Sequence, residues 1–438
     1  MNIRNLLFAA ATLVFQLPCR GQSPPPNAGP LRIDLNDALA RARQYGLQIQ
    51  GAQLASALAH QDVRQVRAGR LPSTNVLNQY LYTEGNNTPT GVFVANNGVH
   101  VYTELAQVHE EVLSLARRGE LRQALAAEAA ARARVEIASR GLTFVVAQNY
   151  YTLVAAQRKL GYAQISVSEA QSFVDLTQKQ ERAGEVARVD SIKAQIQLQQ
   201  RQRELSDAEL NIDKAKIGLA IVMFPQVRED FTVVDDLDQP QLLAPIPEVE
   251  SVAKSTSPDV RAAQESVRAA AAGVSVARYG YLPSLSLDFF YGLNSNLFAL
   301  NFYDPEGHRN IGYSGQVTLN IPVWNWGATR SRVLQAELRR QQAELDLTQA
   351  QRTLQANLEA GYREARVAQA QLASLRSSVD LAGDNLRLTL LRYTAGESTS
   401  LEVVDAQTTL TQARNALADG LSRYRVAIAV IQTLTGTL

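Results

Sequence analysis

The sequence predicts a mainly α-helical fold with a small membrane-spanning β part, built from two similar halves. Three observations predict it. One turn motif occurs twice, a heptad pattern of apolar residues runs into each copy in the same register, and short segments of alternating apolar residues precede each heptad pattern. Duplicated segments of this kind indicate repeated units, here two long antiparallel helical hairpins that each follow a pair of strands.

The N-terminus has the pattern of an export signal. Arg4 precedes a mostly apolar run over 6–17, which is too short to span a bilayer and is typical of a secretory signal peptide. Cleavage after Gly21 predicts a signal peptide over 1–21 and an extended, proline-rich leader over 22–33. The mature chain would then contain no cysteine, which excludes disulfides. Lipid attachment at Cys19 is the alternative.

The duplicated turn motifs are AGEVARVDSIKAQ and AGESTSLEVVDAQ, which lie 212 residues apart. Steps of seven residues back from Tyr393 fall on apolar residues, and the same offset of 212 leads to a second apolar series. The two series are Leu386, Val379, Leu372, Ala365 and Leu358, and Val174, Val167, Leu160, Leu153 and Val146. An ordinary amphipathic helix does not explain why the same heptad register recurs 212 residues away. We therefore divide the chain into a first repeat over 34–230, a linker or equatorial crossing over 231–248, and a second repeat over 249–438.

Each repeat contains the same predicted elements in the same order. A helix comes first, over about 36–69 and 247–280, and two strands follow it. A long helix without proline then runs over about 117–182 and 328–393, a length of roughly 100 Å at about 1.5 Å per residue. A glycine turn ends each long helix, and the apolar pattern resumes in a return helix. The turns form tips at 183–189 and 395–401.

The strands are predicted at about 74–84, 99–109, 284–293 and 312–323. Alternation in SLSLDFFYGL places Leu287, Phe289 and Tyr291 on one face. Strands of about ten residues have the length that a tilted membrane strand needs. Trp324 and Trp326 would then lie at the membrane interface, where the ring and the indole N–H are both accommodated. The alternative is a soluble β-hairpin that caps a helical bundle.

Four strands are too few to close a barrel in a membrane. An open sheet edge in lipid leaves amide groups unpaired, and membrane barrels start at about eight strands. The chain must therefore form an oligomer, in which two copies supply eight strands and three copies supply twelve.

Several motifs resemble one known family. They are the helix-to-strand junctions RAGRLPS and RYGYLPS, LNIPVWNWG before a long helix, and RYTAGESTSLEVVDAQTTL around the second turn. Over essentially the whole mature chain the sequence resembles the TolC-type outer-membrane efflux factors. The resemblance implies a homotrimer with a twelve-stranded barrel in the outer-membrane lipid of a Gram-negative-type envelope and an α-helical barrel that forms a periplasmic tunnel. It also implies a passive exit duct for an inner-membrane pump, reached through a periplasmic adaptor protein.

The resemblance assigns an entrance to the helical tips. Tyr393 corresponds to a tyrosine that helps to keep the mouth closed, and Glu402 and Asp405 correspond to acids that form a charged ring in the trimer. Asp190 corresponds to an acidic partner on the other hairpin. Simple solvation near a helix start is the alternative for the three acids, because carboxylates are favoured there by the helix dipole. For Tyr393 the alternative is a core residue of the heptad.

The two turns correspond to the adaptor-docking tips of the family. The residues concerned are Ala183, Gly184, Glu185 and Arg188 in the first turn, and Ala395, Gly396, Glu397 and Ser398 in the second. Ser398 departs from the family pattern, because the best-known relatives carry an arginine there. An arginine-based lock is therefore in doubt for this chain.

Other functional classes lack the residues that they need. The four histidines have no metal-ligand spacing, and neither a phosphate-binding glycine loop nor a nucleophile elbow occurs. The net charge is +1, and basic residues alternate with acids along the helices, which predicts a solvated face and no nucleic-acid partner. We expect no enzymatic activity, catalytic residue, metal site or cofactor.

Two alternative functions remain open at this point. A type I protein-secretion duct uses the same architecture, and the sequence does not separate it from small-molecule efflux because the pump selects the cargo. A periplasmic coiled-coil scaffold without a channel is the other alternative.

Overall fold

A computed structural model describes residues 31–82, 100–226, 230–239, 241–295 and 311–438. The predicted signal peptide over 1–21, with Cys19, and the leader up to residue 30 lie outside the described residues.

The described elements follow one order twice. The first series is β1 (Leu31–Ile33), α1 (Leu35–Tyr45), α2 (Leu47–Ala68), β2 (Ser73–Tyr82), β3 (His100–Leu113), α3 (Leu115–Ala183) and α4 (Arg188–Met223). The second series is β4 (Phe231–Val233), α5 (Ile246–Thr256), α6 (Pro258–Tyr279), β5 (Ser284–Ser295), β6 (Ile311–Asn320), α7 (Ala328–Thr394) and α8 (Ser400–Thr435). The mainly helical fold class and the internal duplication are confirmed.

Two sequence predictions are wrong in detail. The leader predicted over 22–33 ends in a strand, since β1 pairs in parallel with β4. The partner strand lies about 200 residues away, so no local pattern indicates the pairing. The single helices predicted at the start of each repeat are each divided, by Gly46 in the first and at Ser257 in the second. Pro258 begins α6, where its missing N–H is no loss, while the hydroxyl of Ser257 accepts a hydrogen bond from the N–H of Val260.

The long helices α3 and α7 contain 69 and 67 residues. Their compositions are rich in Ala, Leu, Gln, Glu and Arg, which have high helix propensity. Stripe residues such as Val146, Leu153, Leu358 and Leu386 are buried, as the heptad pattern predicts. No helix within the described ranges has both the length and the apolar character that crossing a membrane requires.

The helices form a layer whose order differs between its tip end and its sheet end. Hairpin one is α3 with α4, hairpin two is α7 with α8, and α3 packs against α8, so the order towards the tips is α4–α3–α8–α7. Towards the sheet, α2 and α6 take the places of α4 and α8, and the order is α2–α3–α6–α7. In both arrangements α7 occupies one edge of the layer, and α2 and α4 share the other.

The main sheet has the strand order β2–β3–β5–β6 and is antiparallel throughout. One face is apolar and exposed. Its large residues include Val76, Tyr80, Leu287, Phe289, Tyr291, Tyr313, Val317 and Leu319. The first two strands are less apolar, because Asn78 and Glu104 are paired on this face. The opposite face carries polar residues, among them Asp288, whose Oδ1 lies 2.7 Å from Nδ1 of His109.

A group of short elements, which we call the collar, packs against the middle of the long helices. It comprises β1, α1, β4, α5 and the segment 234–239. Its core buries Ile33, Leu39 and Phe231 against Tyr150 and Leu153 of α3. The crossing segment is thereby attached to the helices of both hairpins.

Buried charge reinforces this attachment. Arg425 of α8 is 2% exposed and donates hydrogen bonds to the carbonyl oxygen and Oδ2 of Asp236, at 2.5 and 2.9 Å. Its guanidinium lies 5.4 Å from the centre of the Tyr151 ring. Burial raises the pKa of Asp236, and the charge of Arg425 opposes that effect. On the other side, Arg158 of α3 forms ion pairs with Asp235 and Asp238.

The two tip glycines allow a test of the fold. Gly184 and Gly396 have φ of 78° and 77°, in the left-handed region that other residues avoid. We expect Gly184→Ala or Gly396→Ala to destabilise the folded protein by about 1–2 kcal/mol, seen as a lower midpoint in thermal unfolding. Gly383→Ala, inside α7 where a Cβ meets no neighbour within 4 Å, is the matched control and should be neutral or stabilising. Equal effects at the turns and at Gly383 would contradict the assigned turn conformation.

Candidate functional site at the helical tips

The two tip turns have the same backbone structure. In the first, the N–H of Glu185 donates to the carbonyl of Gln180 at 2.9 Å. In the second, the N–H of Glu397 donates to the carbonyl of Arg392 at 2.8 Å. Each glycine in the left-handed conformation thus ends a helix by satisfying its last carbonyl groups. The repeated motif therefore produces one turn twice.

The helices that follow the turns begin differently. The hydroxyl of Thr399 accepts a hydrogen bond from the N–H of Glu402, and the Glu402 carboxylate accepts one from the N–H of Thr399, both at 3.4 Å. This capping box satisfies two free amides at the start of α8. Among the described residues, Ala187 gives the start of α4 no side-chain cap. The start of α8 is therefore stabilised by a side-chain cap, whereas the start of α4 has none among the described residues.

Glu402 is held by its own turn. The Ser398 hydroxyl donates to its Oε2 at 2.9 Å, and Nη1 of Arg392 lies 3.6 Å from the same oxygen. The hydrogen bond from Ser398, followed by that from the Thr399 backbone, lowers the pKa of Glu402. Asp405 is exposed one turn further along α8. A charged entrance ring formed by these two acids stays a prediction.

Tyr393 lies in an apolar cluster where the four helices end. It is 4% exposed, and its ring centre is 5.2 Å from that of Phe173, at an interplanar angle of 63°. Within the described part of the chain, its buried hydroxyl has no hydrogen-bond partner. Burial raises the pKa of Tyr393, and the negative charge of Asp190 adds to the effect. These contacts fit the heptad-core interpretation of Tyr393.

Asp190 joins the two hairpins. It lies in the first turn of α4, and the Ser400 hydroxyl of α8 donates to its Oδ1 at 2.5 Å. Nζ of Lys193 is 3.8 Å from the same oxygen. The structure thus brings Asp190, Tyr393 and Glu402 to one end of the molecule, and their role in an entrance stays a prediction.

The predicted docking residues form an exposed surface at this end. Seven of the eight are exposed, and Ser398 is half-buried against Glu402. Trp324 and Trp326 lie at the opposite end, between β6 and α7, where they are 76% and 90% exposed. Their ring centres are 5.8 Å apart at 74°, and they lie where the helices meet the sheet. Adaptor docking and a membrane interface remain predictions for these residues.

Phe173 is a contact residue of the tips that the sequence pattern does not mark. It directly precedes the stripe residue Val174, but heptad position alone does not show which helix a flanking residue contacts. Its partner Tyr393 is distant in sequence and lies in the other hairpin. Among the described residues, no cluster of three or more His, Cys, Asp or Glu is arranged to hold a metal ion.

Comparison with known proteins gives one family. A family model described as "Outer membrane efflux protein" matches residues 36–223 and 250–437, one segment in each repeat. Pyoverdine export outer membrane protein OpmQ of Pseudomonas putida is 27% identical over 66% of this chain and 61% of its own length. Outer membrane protein TolC of Vibrio cholerae is 25% identical over 88% of each chain. The chain therefore spans less than two thirds of the length of OpmQ, though most of the length of TolC.

Solved structures share the fold. The Campylobacter jejuni CmeC outer membrane channel has a TM-score of 0.83 at 16% identity, covering 92% of this chain and 85% of that one. The open state of the Neisseria gonorrhoeae MtrE outer membrane channel has a TM-score of 0.79 at 20% identity, covering 92% and 89%.

The cap on α8 predicts a pH dependence. Because the pKa of Glu402 is lower in the folded chain than in an unfolded one, its stabilising contribution is present above the unfolded value of about 4.3. That contribution is lost as the pH falls through the lower folded value. We expect amide exchange over 400–405, corrected for its intrinsic pH dependence, to become faster below about pH 4.

Two variants control this measurement. Glu402→Gln retains an acceptor for the capping box and should remove most of the pH dependence. Asp405→Asn changes a neighbouring acid outside the capping box and should leave the dependence intact. The same profile in both variants would rule out Glu402 as its source.

Proposed function

The chain belongs to the outer membrane efflux protein family, and we propose on that premise that it is the outer-membrane channel of a tripartite efflux system. In this role it is a homotrimeric, passive exit duct for substrates that an inner-membrane pump delivers through a periplasmic adaptor. The observation that carries the proposal is a sheet with an exposed apolar face whose outer strands, β2 and β6, each pair on one side only among the described strands.

Lipid contact on the apolar face requires that these edges be paired. Unpaired amides cost several kcal/mol each in a bilayer, so a spanning sheet must close on itself. Pairing β6 of one copy with β2 of the next continues the antiparallel order, and three copies supply twelve strands. This head-to-tail contact closes into a ring when the rotation between copies is a third of a turn.

The helical layer has matching edges. Exposed apolar residues on the α2 and α4 edge are Leu47, Leu54, Leu58, Val189, Ile192, Ile196, Leu210, Ile217 and Ile221. Those on the α7 edge are Leu334, Leu338, Leu345, Val367, Leu381, Leu388 and Leu391. Since α2 and α4 lie on one edge and α7 on the other, the rotation that joins β6 to β2 also brings these surfaces together. Their burial supplies a hydrophobic driving force for assembly.

The walls of a water-filled duct must be polar. A groove of about 680 Å³ between α3, α4 and α8 is lined by polar and charged side chains together with alanines and a glycine. Its polar residues include Asn149, Lys159, Asp207, Asn211, Lys214 and Asp419. Small residues such as Ala156, Ala163 and Gly218 keep the groove open. The exposed tips are the surface that we assign to the adaptor.

Small-molecule cargo is favoured over protein cargo. One relative whose name states a small-molecule substrate is the toluene efflux pump outer membrane protein TtgC of Pseudomonas putida, which is 25% identical over 66% of this chain. A type I secretion duct has the same architecture and remains the second candidate. A periplasmic scaffold would leave the apolar face of the sheet in water, which disfavours that role.

Assembly can be tested with charges on the helical edges. We expect Ile196→Glu or Leu388→Glu to convert a detergent-purified trimer into smaller species, because each places a carboxylate in an apolar contact between copies. Mass measurement by light scattering or native mass spectrometry reads the result. Leu242→Glu is the matched control, because Leu242 is 93% exposed in the segment before α5 and belongs to neither helical edge. A wild-type chain that is folded but monomeric would contradict the proposal.

Conduction can be tested in planar bilayers. The wild-type protein should form pores that a trivalent cation blocks from the tip side. Glu402→Ala combined with Asp405→Ala should raise the half-blocking concentration by about tenfold or more, because a ring of six carboxylates attracts the ion. Asp62→Ala combined with Glu344→Ala removes two acids near the sheet end and should have little effect. Unchanged block in the first double variant would remove its acids from the entrance.

A further inference from the structure

The seam between the two hairpins is polar along most of its length. Between the collar and the tips, Lys159 pairs with Asp419 at 2.6 Å, and Arg414 pairs with Glu169 at 3.4 Å. These ion pairs are partly exposed, and such pairs contribute little net stability. A buried hydroxyl contact, Ser166 with Thr411 at 3.2 Å, lies between them. The seam therefore aligns the hairpins without binding them strongly.

An apolar cluster joins the hairpins at the tip. It comprises Phe173 and Val174 of α3, Ala194 of α4, Tyr393 of α7 and Val403 of α8. All five residues are at most 4% exposed. The Phe173 and Tyr393 rings meet edge to face, an arrangement that aromatic pairs favour. Because every one of the four helices contributes, the hairpins cannot separate at the tip without exposing this cluster.

The polar groups at the tip do not hold the two hairpins together through the hydroxyl of Tyr393. Its hydroxyl is buried without a hydrogen-bond partner among the described residues. Ser398 occupies the position of the family arginine and bonds to Glu402 of its own turn. Polar contacts also cross between the hairpins: the Ser400 hydroxyl donates to Asp190 at the tip, and Nη2 of Arg201 donates to the Thr408 hydroxyl at 2.7 Å further towards the collar. The larger contact between the hairpins at this end is apolar.

We propose that Phe173 is a positioning residue of the entrance, which keeps the mouth closed by holding Tyr393 of hairpin two against hairpin one. We call the five clustered residues the tip clasp. This inference rests on the proposed channel function and deepens it. The mouth then opens when the residues of the tip clasp separate, while the collar keeps the two hairpins together nearer the sheet. Since apolar contacts are not screened by salt, the closed state should be nearly independent of ionic strength, unlike one held by ion pairs.

Single-channel recording tests the clasp. Phe173→Ala should increase the time spent in high-conductance states by about tenfold or more, because removing a buried ring weakens the closed state selectively. Phe173→Leu retains apolar volume and should restore most of the closure. Tyr393→Phe should behave as the wild type, because it removes only an unpartnered hydroxyl.

Leu410→Ala is the matched control. Leu410 is 4% exposed and packs with Ala382, Leu386 and Ala406, all within hairpin two. Its truncation should lower thermal stability without opening the mouth. Equal opening by Phe173→Ala and Leu410→Ala, or opening by neither, would overturn the proposal.

Hydrogen exchange on the full-length protein tests the clasp independently of conduction. Phe173→Ala should speed amide exchange at the tips of both hairpins, over 170–183 and over 386–394. Leu410→Ala should speed it in hairpin two alone. Exchange at the wild-type tips should be equal at low and high salt. The clasp would be rejected if Phe173→Ala speeds amide exchange in hairpin one alone. It would also be rejected if high salt speeds amide exchange at the tips of the wild-type protein. A protein that shows the expected pattern but conducts nothing would reject the channel and leave the clasp standing.

Discussion

The outer edges of the four-stranded sheet, which have no neighbouring strand among the described residues, are the constraint on which the proposed assembly depends. The sheet presents one apolar face, and a bilayer offers no water to its edge amides. In the assembly that we propose, pairing the edges between copies satisfies these amides and sets the rotation that relates the copies. The helical layer would follow the same rotation, and most of its exposed large apolar residues lie on the two edges that would then meet. One requirement of the backbone thus accounts for an apolar pattern on distant helices.

The collar divides each long helix into two parts that pack against different neighbouring helices. Above it, α3 and α7 are flanked by α2 and α6, which lead into the sheet. At the collar, the crossing segment is held by Arg158 from α3 and by Arg425 from α8. A buried guanidinium that loses its partner is costly, so this attachment resists separation. Below it, the seam is polar as far as the tips. The tip clasp is therefore the main apolar contact between the hairpins on the tip side of the collar.

Duplication has preserved the backbone of the repeats more closely than their side chains. Both turns use a left-handed glycine with the same hydrogen bonds, whereas the α8 start has a capping box and the α4 start has none among the described residues. Glu402, assigned to a charged ring by resemblance, is occupied in stabilising the start of α8. Asp190 occupies the corresponding first turn of α4 and instead bonds to hairpin two. The position held by Glu402 in the second repeat thus stabilises its own hairpin, whereas the corresponding position, held by Asp190 in the first repeat, connects the two hairpins.

The sequence by itself determined the duplication, the long helices, their turns and the strands, because each depends on local periodicity or on a residue with special backbone freedom. Gly184 and Gly396 mark the turns without reference to any distant contact. Tertiary structure alone decided which surfaces cover each other: the pairing of β1 with β4, the burial of Arg425 beneath the crossing segment, and the contact of Phe173 with Tyr393. Periodicity reveals that a helix has an apolar face, but the partner of that face is chosen by packing between segments far apart in the chain.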